Sequence, residues 1–135
     1  MIKEVEILVI GGGPAGLCAA AAAASMGAEV LLCERDGAPG GQLVKQTHKF
    51  FGSEKQQAGT RGITIAEGLE KEIAASPNIE LWVNTSALGY YADGIVMVER
   101  DHQVEGILPK RVIVATGAFE KNLVFPNNDL PGVYG

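Results

Sequence analysis

The sequence predicts an α/β fold in which a parallel sheet carries helices and a small antiparallel β-meander is added to it. Three observations predict this. The continuous apolar run Ile7-Leu8-Val9-Ile10 ends in three glycines, the pattern of a strand buried on both faces of a parallel sheet. A helix-forming stretch follows from Pro14 to Met26, with six consecutive alanines from Ala19 to Ala24. A second apolar run, Val30-Leu31-Leu32-Cys33, then ends at Glu34-Arg35. Strand, helix and strand make a βαβ unit, whose crossover is right-handed by the usual rule.

The remaining elements read in order. Proline fits the first helical turn, alanine is the strongest helix former, and Gly27 suits the C-terminal cap. Residues 35 to 60 contain Gly37, Pro39, Gly40, Gly41, Gly52 and Gly59 with little periodicity, so they are expected to form a long functional or mobile loop. From about Arg61 to Ala75, Ile65, Leu69 and Ile73 recur at four-residue spacing with Ala66 beside them; this is an amphipathic helix that stops near Pro77. Ile79 to Val83 reads as a short strand. Leu88 to Tyr91, Ile95 to Glu99 and Val104 to Leu108 are separated by Ala92-Asp93-Gly94 and Arg100-Asp101-His102, turn signals at meander spacing. Val112 to Ala115 returns to the buried-strand pattern and ends at Thr116-Gly117-Ala118. The closing segment from Phe125 to Gly132 is turn chemistry, and no terminal helix or strand is expected.

Composition narrows the function classes. The 135 residues fit about one domain and rule out a repeat array; 47 % are apolar and 20 % charged, an ordinary globular balance. The net charge is −5 and no basic block occurs, which argues against nucleic acid as a partner. No segment reaches the roughly 18 apolar residues of a membrane span. The two cysteines, Cys18 and Cys33, lack Cys-x-x-Cys or metal-knuckle spacing and are expected to be buried, reduced and inert in a cytoplasmic protein. Glycine is the outlier, with 18 residues.

The glycines have a use. Gly11, Gly13 and Gly16 form Gly-x-Gly-x-x-Gly between a strand and a helix, which makes the arrangement Rossmann-like. The spacing serves a tight turn, close backbone approach to a pyrophosphate and close packing of helix on strand. The helix N-terminus offers unsatisfied N–H groups and the positive end of the macrodipole to the phosphates. An acid about 20 residues on, at the end of the second strand, would accept hydrogen bonds from a ribose. Glu34 stands eighteen residues after Gly16 and closes that strand. Its charge disfavours a 2′-phosphate, so FAD or NAD is preferred over NADP.

In this order the motifs Gly-x-Gly-x-x-Gly, Glu34-Arg35, Pro39-Gly40-Gly41-Gln42, a meander and Ala115-Thr116-Gly117-Ala118 resemble the N-terminal FAD-binding half of two-dinucleotide-fold flavoproteins. These are the pyridine nucleotide-disulfide oxidoreductase superfamily. Gly40-Gly41-Gln42-Leu43 and the stretch from Phe125-Pro126 to Asp129-Leu130-Pro131-Gly132 look most like its thioredoxin-reductase-like branch, especially the flavoprotein subunits of amine and amino-acid oxidoreductases. The resemblance implies that Gly11, Gly13, Pro14, Ala15 and Gly16 hold the pyrophosphate, that Glu34 binds the adenosine ribose, and that Arg35 lies on the adenine side. It implies that Gly41 and Gln42 approach the ribityl chain or flavin, that the Ala87 backbone meets adenine, and that Thr116 and Gly117 pass close to the dinucleotide.

In that family the chain continues into an NAD(P)H-binding domain and returns with a Gly-Asp motif to finish the FAD domain. Neither occurs here, so residues 1–135 are expected to be part of an incomplete domain, inactive alone. The complete protein would pass a hydride between a small-molecule substrate or nicotinamide and the flavin, with another subunit or a homo-oligomer as a further partner. The competing readings are a non-catalytic NAD-binding module and an interaction module with a vestigial cleft. No catalytic residue and no metal site is expected. His48, with Phe50 and Phe51, lies in the long loop and reads more as packing than as a proton carrier. His102 falls in a turn and should be exposed, while Trp82, Tyr90 and Tyr91 lie in strand-like runs where aromatics pack.

Overall fold

The structure is a computed structural model, and it describes residues 2–134. Its strands are β1 (Ile2–Ile10), β2 (Val30–Cys33), β3 (Ile79–Trp82), β4 (Thr85–Tyr90), β5 (Val96–Arg100) and β6 (Gln103–Val114); its α-helices are α1 (Pro14–Ser25) and α2 (Gly62–Ala75). All six strands belong to one mixed sheet in the order β3-β2-β1-β6-β5-β4. β1, β2, β3 and β6 run parallel, while β5 pairs antiparallel with both β6 and β4. The meander is therefore continuous with the parallel sheet.

One strand accomplishes this. The sequence suggests two strands, Val104–Leu108 and Val112–Ala115, with Pro109 between them, but β6 runs unbroken through Pro109. Its ladder with β5 ends at Ile107, so one edge of β6 is unpaired from Leu108 onward. Proline is tolerated at such an edge because no ladder donor is lost there. β1 is likewise longer than its apolar run: Ile2 to Val5 pair with Gly106 to Pro109 of β6.

Alternation along the strands sends successive side chains to two cores. Val9, Val30 and Leu32 face Leu17 and Ala20 of α1 and Ile73 of α2. Leu8, Leu31, Cys33 and Trp82 pack instead with Val96, Val98 and Ile107. Both faces of β2 are thus covered, which is why all four of its residues are buried. α1 opens on Pro14 after Gly13 and closes with Gly27 at φ +89°. The N–H of Gly27 donates to Ala24 O and that of Ala28 to Ala23 O, a Schellman ending that satisfies the last carbonyls.

Two packing expectations fail. Cys18 is exposed, whereas Cys33 is buried; Cys18 shares α1 with buried Leu17 but lies off the stripe that faces the sheet. Tyr90 and Tyr91 are exposed as well, because β4 is the outer strand of the sheet. Trp82 is buried, with the Arg100 guanidinium 3.7 Å above its ring and its indole N–H donating to Glu80. His102 is fully exposed. The long loop contains two short 3-10 turns, Gly41–Lys45 and Glu54–Gln56, and residues 115–134 carry neither helix nor strand.

Candidate functional site

The register of β1 with β2 and β6 brings Ile10, Cys33 and Val114 side by side at the C-terminal edge of the sheet. The chain leaves all three strands at this edge, so Gly11, Glu34 and Ala115 become neighbours. The N–H of Gly11 donates to Cys33 O, and that of Ala115 to Ile10 O, each at 2.8 Å. In open α/β sheets ligands bind outside this edge.

The glycines divide by what a side chain would meet. Gly11 has φ +107°, and a Cβ there would overlap the Ala115 carbonyl oxygen; at Gly16 it would overlap the Gly11 carbonyl oxygen. Both positions are closed by the protein itself. Gly13 differs: its φ of −74° and ψ of −178° suit any residue, and the nearest atom to a Cβ would be Gly41 Cα at 3.9 Å. A Cβ at Gly13 would thus make no more than an ordinary van der Waals contact, so the fold itself does not demand glycine there, whereas close backbone approach by a ligand would.

Pro14 and Ala15 form the exposed first turn of α1, and Gly16 is buried behind them. The N–H groups of Gly13, Ala15 and Gly16 have no acceptor among the described residues. Opposite them stands Gly41 at φ +53°, where a Cβ would come 2.8 Å from Gly13 Cα. Gln42 follows on the exposed side.

Glu34 is only 7 % exposed and is held by the backbone. Its Oε2 accepts the Gly12 N–H at 2.7 Å and its Oε1 accepts the Asp36 N–H at 2.7 Å. An ionised carboxylate has roughly four acceptor positions, so two remain for a ligand diol. The Thr85 N–H donates to the Glu34 carbonyl, which ties the start of β4 to the same corner. Ala87 lies two residues further along β4, exposed and opposite Val98 beside a bulge.

The other expected residues make fewer contacts with this corner. The Arg35 side chain is largely in solvent, 3.6 Å from the Asp36 carboxylate. Thr116 adjoins Gly11, but a Cβ at Gly117 would meet nothing within 4 Å. His48 stacks on Phe50 at a centroid distance of 5.4 Å, and Phe51 is exposed. Two residues to which the sequence assigned no role of their own, Gly12 and Gly40, also belong here. The Gly40 N–H donates to the Gly12 carbonyl at 2.7 Å, and a Cβ at Gly12 would lie 2.8 Å from Glu34 Oε2. The run of three glycines was the available signal for Gly12; Gly40 had none beyond its place in Pro39-Gly40-Gly41.

A cavity of about 380 Å³ lies at the opposite edge of the sheet, lined in part by Lys3, Glu29, Asn78 and Glu80. It lies by the N-terminal ends of β1, β2 and β3, away from the glycine turn, and fold topology argues against it as the cofactor site. Lys3 pairs with Glu80 at 2.8 Å and holds that carboxyl below the usual carboxylate range. Among the described residues no group of His, Cys, Asp and Glu is arranged to hold a metal ion, and no helix is long and apolar enough to cross a membrane.

The family model described as FAD dependent oxidoreductase matches residues 6–113. The chain belongs to this family. It is 36 % identical to the sarcosine oxidase subunit alpha of Rhizobium meliloti (strain 1021), over 95 % of this chain and 14 % of that protein. Among solved structures it resembles the L-proline dehydrogenase from P. horikoshii, with a TM-score of 0.83, 34 % identity, and coverage of 98 % of this chain and 27 % of the other. Its fold is also that of Lactococcus lactis thioredoxin reductase, with a TM-score of 0.73 at 24 % identity over 93 % of this chain and 39 % of that one. The chain thus spans about a seventh of the sarcosine oxidase subunit and about a quarter of the dehydrogenase.

Proposed function

We propose that this chain is the FAD-binding domain of a flavin-dependent oxidoreductase. Gly11, Gly13, Pro14, Ala15 and Gly16 take the pyrophosphate, and Glu34 takes the adenosine ribose. The observation that carries this reading is a glycine turn whose Gly13, Ala15 and Gly16 N–H groups have no acceptor among the described residues, with the buried Glu34 carboxylate held against Gly12 beside them. Gly41 and Gln42 lie toward the ribityl chain or flavin, Ala87 and Arg35 toward adenine, and Thr116 and Gly117 beside the dinucleotide.

FAD supplies the hydride-accepting chemistry when bound, and the protein supplies position and electrostatics. The backbone N–H groups neutralise the pyrophosphate without a basic side chain. Glu34 accepts from the ribose hydroxyls and repels a phosphate in their place. In the complete protein the electrons come from an amine or amino-acid substrate, the donor classes named by the sarcosine oxidase and proline dehydrogenase relatives. NAD(P)H is the alternative donor or acceptor. Further subunits are proposed partners, because the similar sarcosine oxidase chain is itself a subunit, and a cytoplasmic setting suits the two free cysteines.

The test is the visible spectrum of the purified chain after incubation with FAD and gel filtration. A flavin band eluting with the protein is expected. Failure to take up FAD by a folded chain that binds NAD would overturn the assignment.

A further inference from the structure

The Glu34 carboxylate touches two backbone donors of its own chain, Gly12 and Asp36, and the Gly12 carbonyl is taken by the Gly40 N–H. Two consecutive peptide planes on either side of Gly12 are therefore fixed, one through its N–H and one through its C=O. We propose that Glu34 and Gly40 are positioning residues that lock the glycine turn in its anion-accepting form before any cofactor arrives. The proposal deepens the FAD-binding reading and rests on it for its purpose.

The geometry gives the lock its reach. Because the C=O and N–H of a trans peptide point in opposite directions, seating the Gly12 oxygen on Gly40 sets the direction of the Gly13 N–H. That N–H belongs to Gly13, where the nearest atom to a Cβ would be Gly41 Cα at 3.9 Å, and it has no acceptor among the described residues. The Gly12–Gly40 bond also docks the Pro39–Gly41 segment on the turn, so that Gly41, whose N–H is unpaired among the described residues, stands against Gly13 and Pro14. Gly40 is poorly replaceable: its φ is +127°, and a Cβ would meet Val44 Cγ1 at 2.5 Å. At Gly12 a side chain would displace the carboxylate itself. Preorganised donors bind an anion without paying the ordering cost at the moment of binding.

Glutamine cannot replace Glu34 in this role. Two N–H donors face two carboxylate oxygens, and a carboxamide has one oxygen, so its NH2 group would be set against the second N–H. A residue that only accepted from the ribose would tolerate the change far better.

Amide hydrogen exchange by NMR tests the lock. In wild-type protein without cofactor, the Gly12 and Gly40 amides are expected to be protected already, and FAD should add little at these two positions. Protection that develops only when FAD is added would overturn the proposal, and this arm needs no variant. In cofactor-free Glu34→Gln, one of the two amides that the carboxylate holds, Gly12 or Asp36, should exchange about tenfold faster or more, the loss of one charge-assisted hydrogen bond, while core amides such as Leu8 and Leu32 stay protected. Unchanged rates at both amides in a folded variant would also overturn it. Protected Gly12 in a protein that takes up no FAD would leave the lock standing and refute the FAD reading alone.

Discussion

Gly13 separates binding from folding. An added Cβ would have its nearest neighbour at 3.9 Å, and the backbone there is extended, so Gly13→Ala costs the fold no collision. Gly13 is the N-cap of α1 without a side-chain bond, and alanine is a poorer cap than glycine, which gives a stability loss of about 1 kcal/mol or less. The same methyl group occupies the surface where a phosphate must meet the N–H groups of the turn. Each hydrogen bond to a charged group is worth about 1.5–3 kcal/mol, so losing one weakens FAD binding by roughly 10- to 150-fold; Gly13→Val should weaken it further. Gly16→Ala is the control, because its methyl overlaps the Gly11 carbonyl oxygen and must push α1 from β1, an overpacking cost of about 1–3 kcal/mol or more. Flavin-fluorescence titration gives the affinities and thermal unfolding gives the stabilities. Unchanged FAD affinity in Gly13→Val, or a Gly13→Ala variant as destabilised as Gly16→Ala, would refute the reasoning.

Other predictions follow from the buried and paired groups. Native protein should react with a thiol reagent at Cys18 alone, with Cys33 reacting only after unfolding; two fast thiols in the native state would contradict the packing. Burial pushes the Cys33 thiol from 9.0 up to about 12, so the unfolded chain loses this proton first, and stability should fall between pH 9 and 12 by up to about 1.4 kcal/mol per pH unit. Comparing alkaline melting of wild type with Cys33→Ala isolates that slope, which the variant should lack. The Glu80 carboxyl is lowered from 4.5, first by its hydrogen bond from Lys3, so its contribution is present above pH 4.5 and disappears as pH falls through its folded value. Lys3→Met should therefore flatten the acid limb of a stability-against-pH curve, and an unchanged limb would remove the pair from the account.

Much of the site was legible because the relevant physics is local. Val30–Cys33 ends where Glu34 begins, so a strand-end acid could be read from one run of residues. Pro14 and the alanines fixed the start of α1, and with it the direction of its N-terminus. Gly12 and Gly40 were not legible, since their need for glycine comes from Glu34 and Val44, contacts that spacing within a motif does not specify. Pro109 read as a break because proline opposes a central strand; only the end of the β5 ladder at Ile107 explains why β6 passes through it. Cys18 and Tyr90 were misplaced for the same reason. Burial depends on which face of α1 meets the sheet and on which strand ends outermost, and both are set by tertiary pairing.

The measurement that tests the central claim most directly is a crystal structure of the chain with FAD. The account predicts the pyrophosphate between Gly13 and Gly41, at the N-terminus of α1, with the adenosine ribose hydroxyls on the Glu34 carboxylate. FAD bound elsewhere, at the cavity beside Lys3, Glu29 and Glu80 for example, with the glycine turn free, would contradict it.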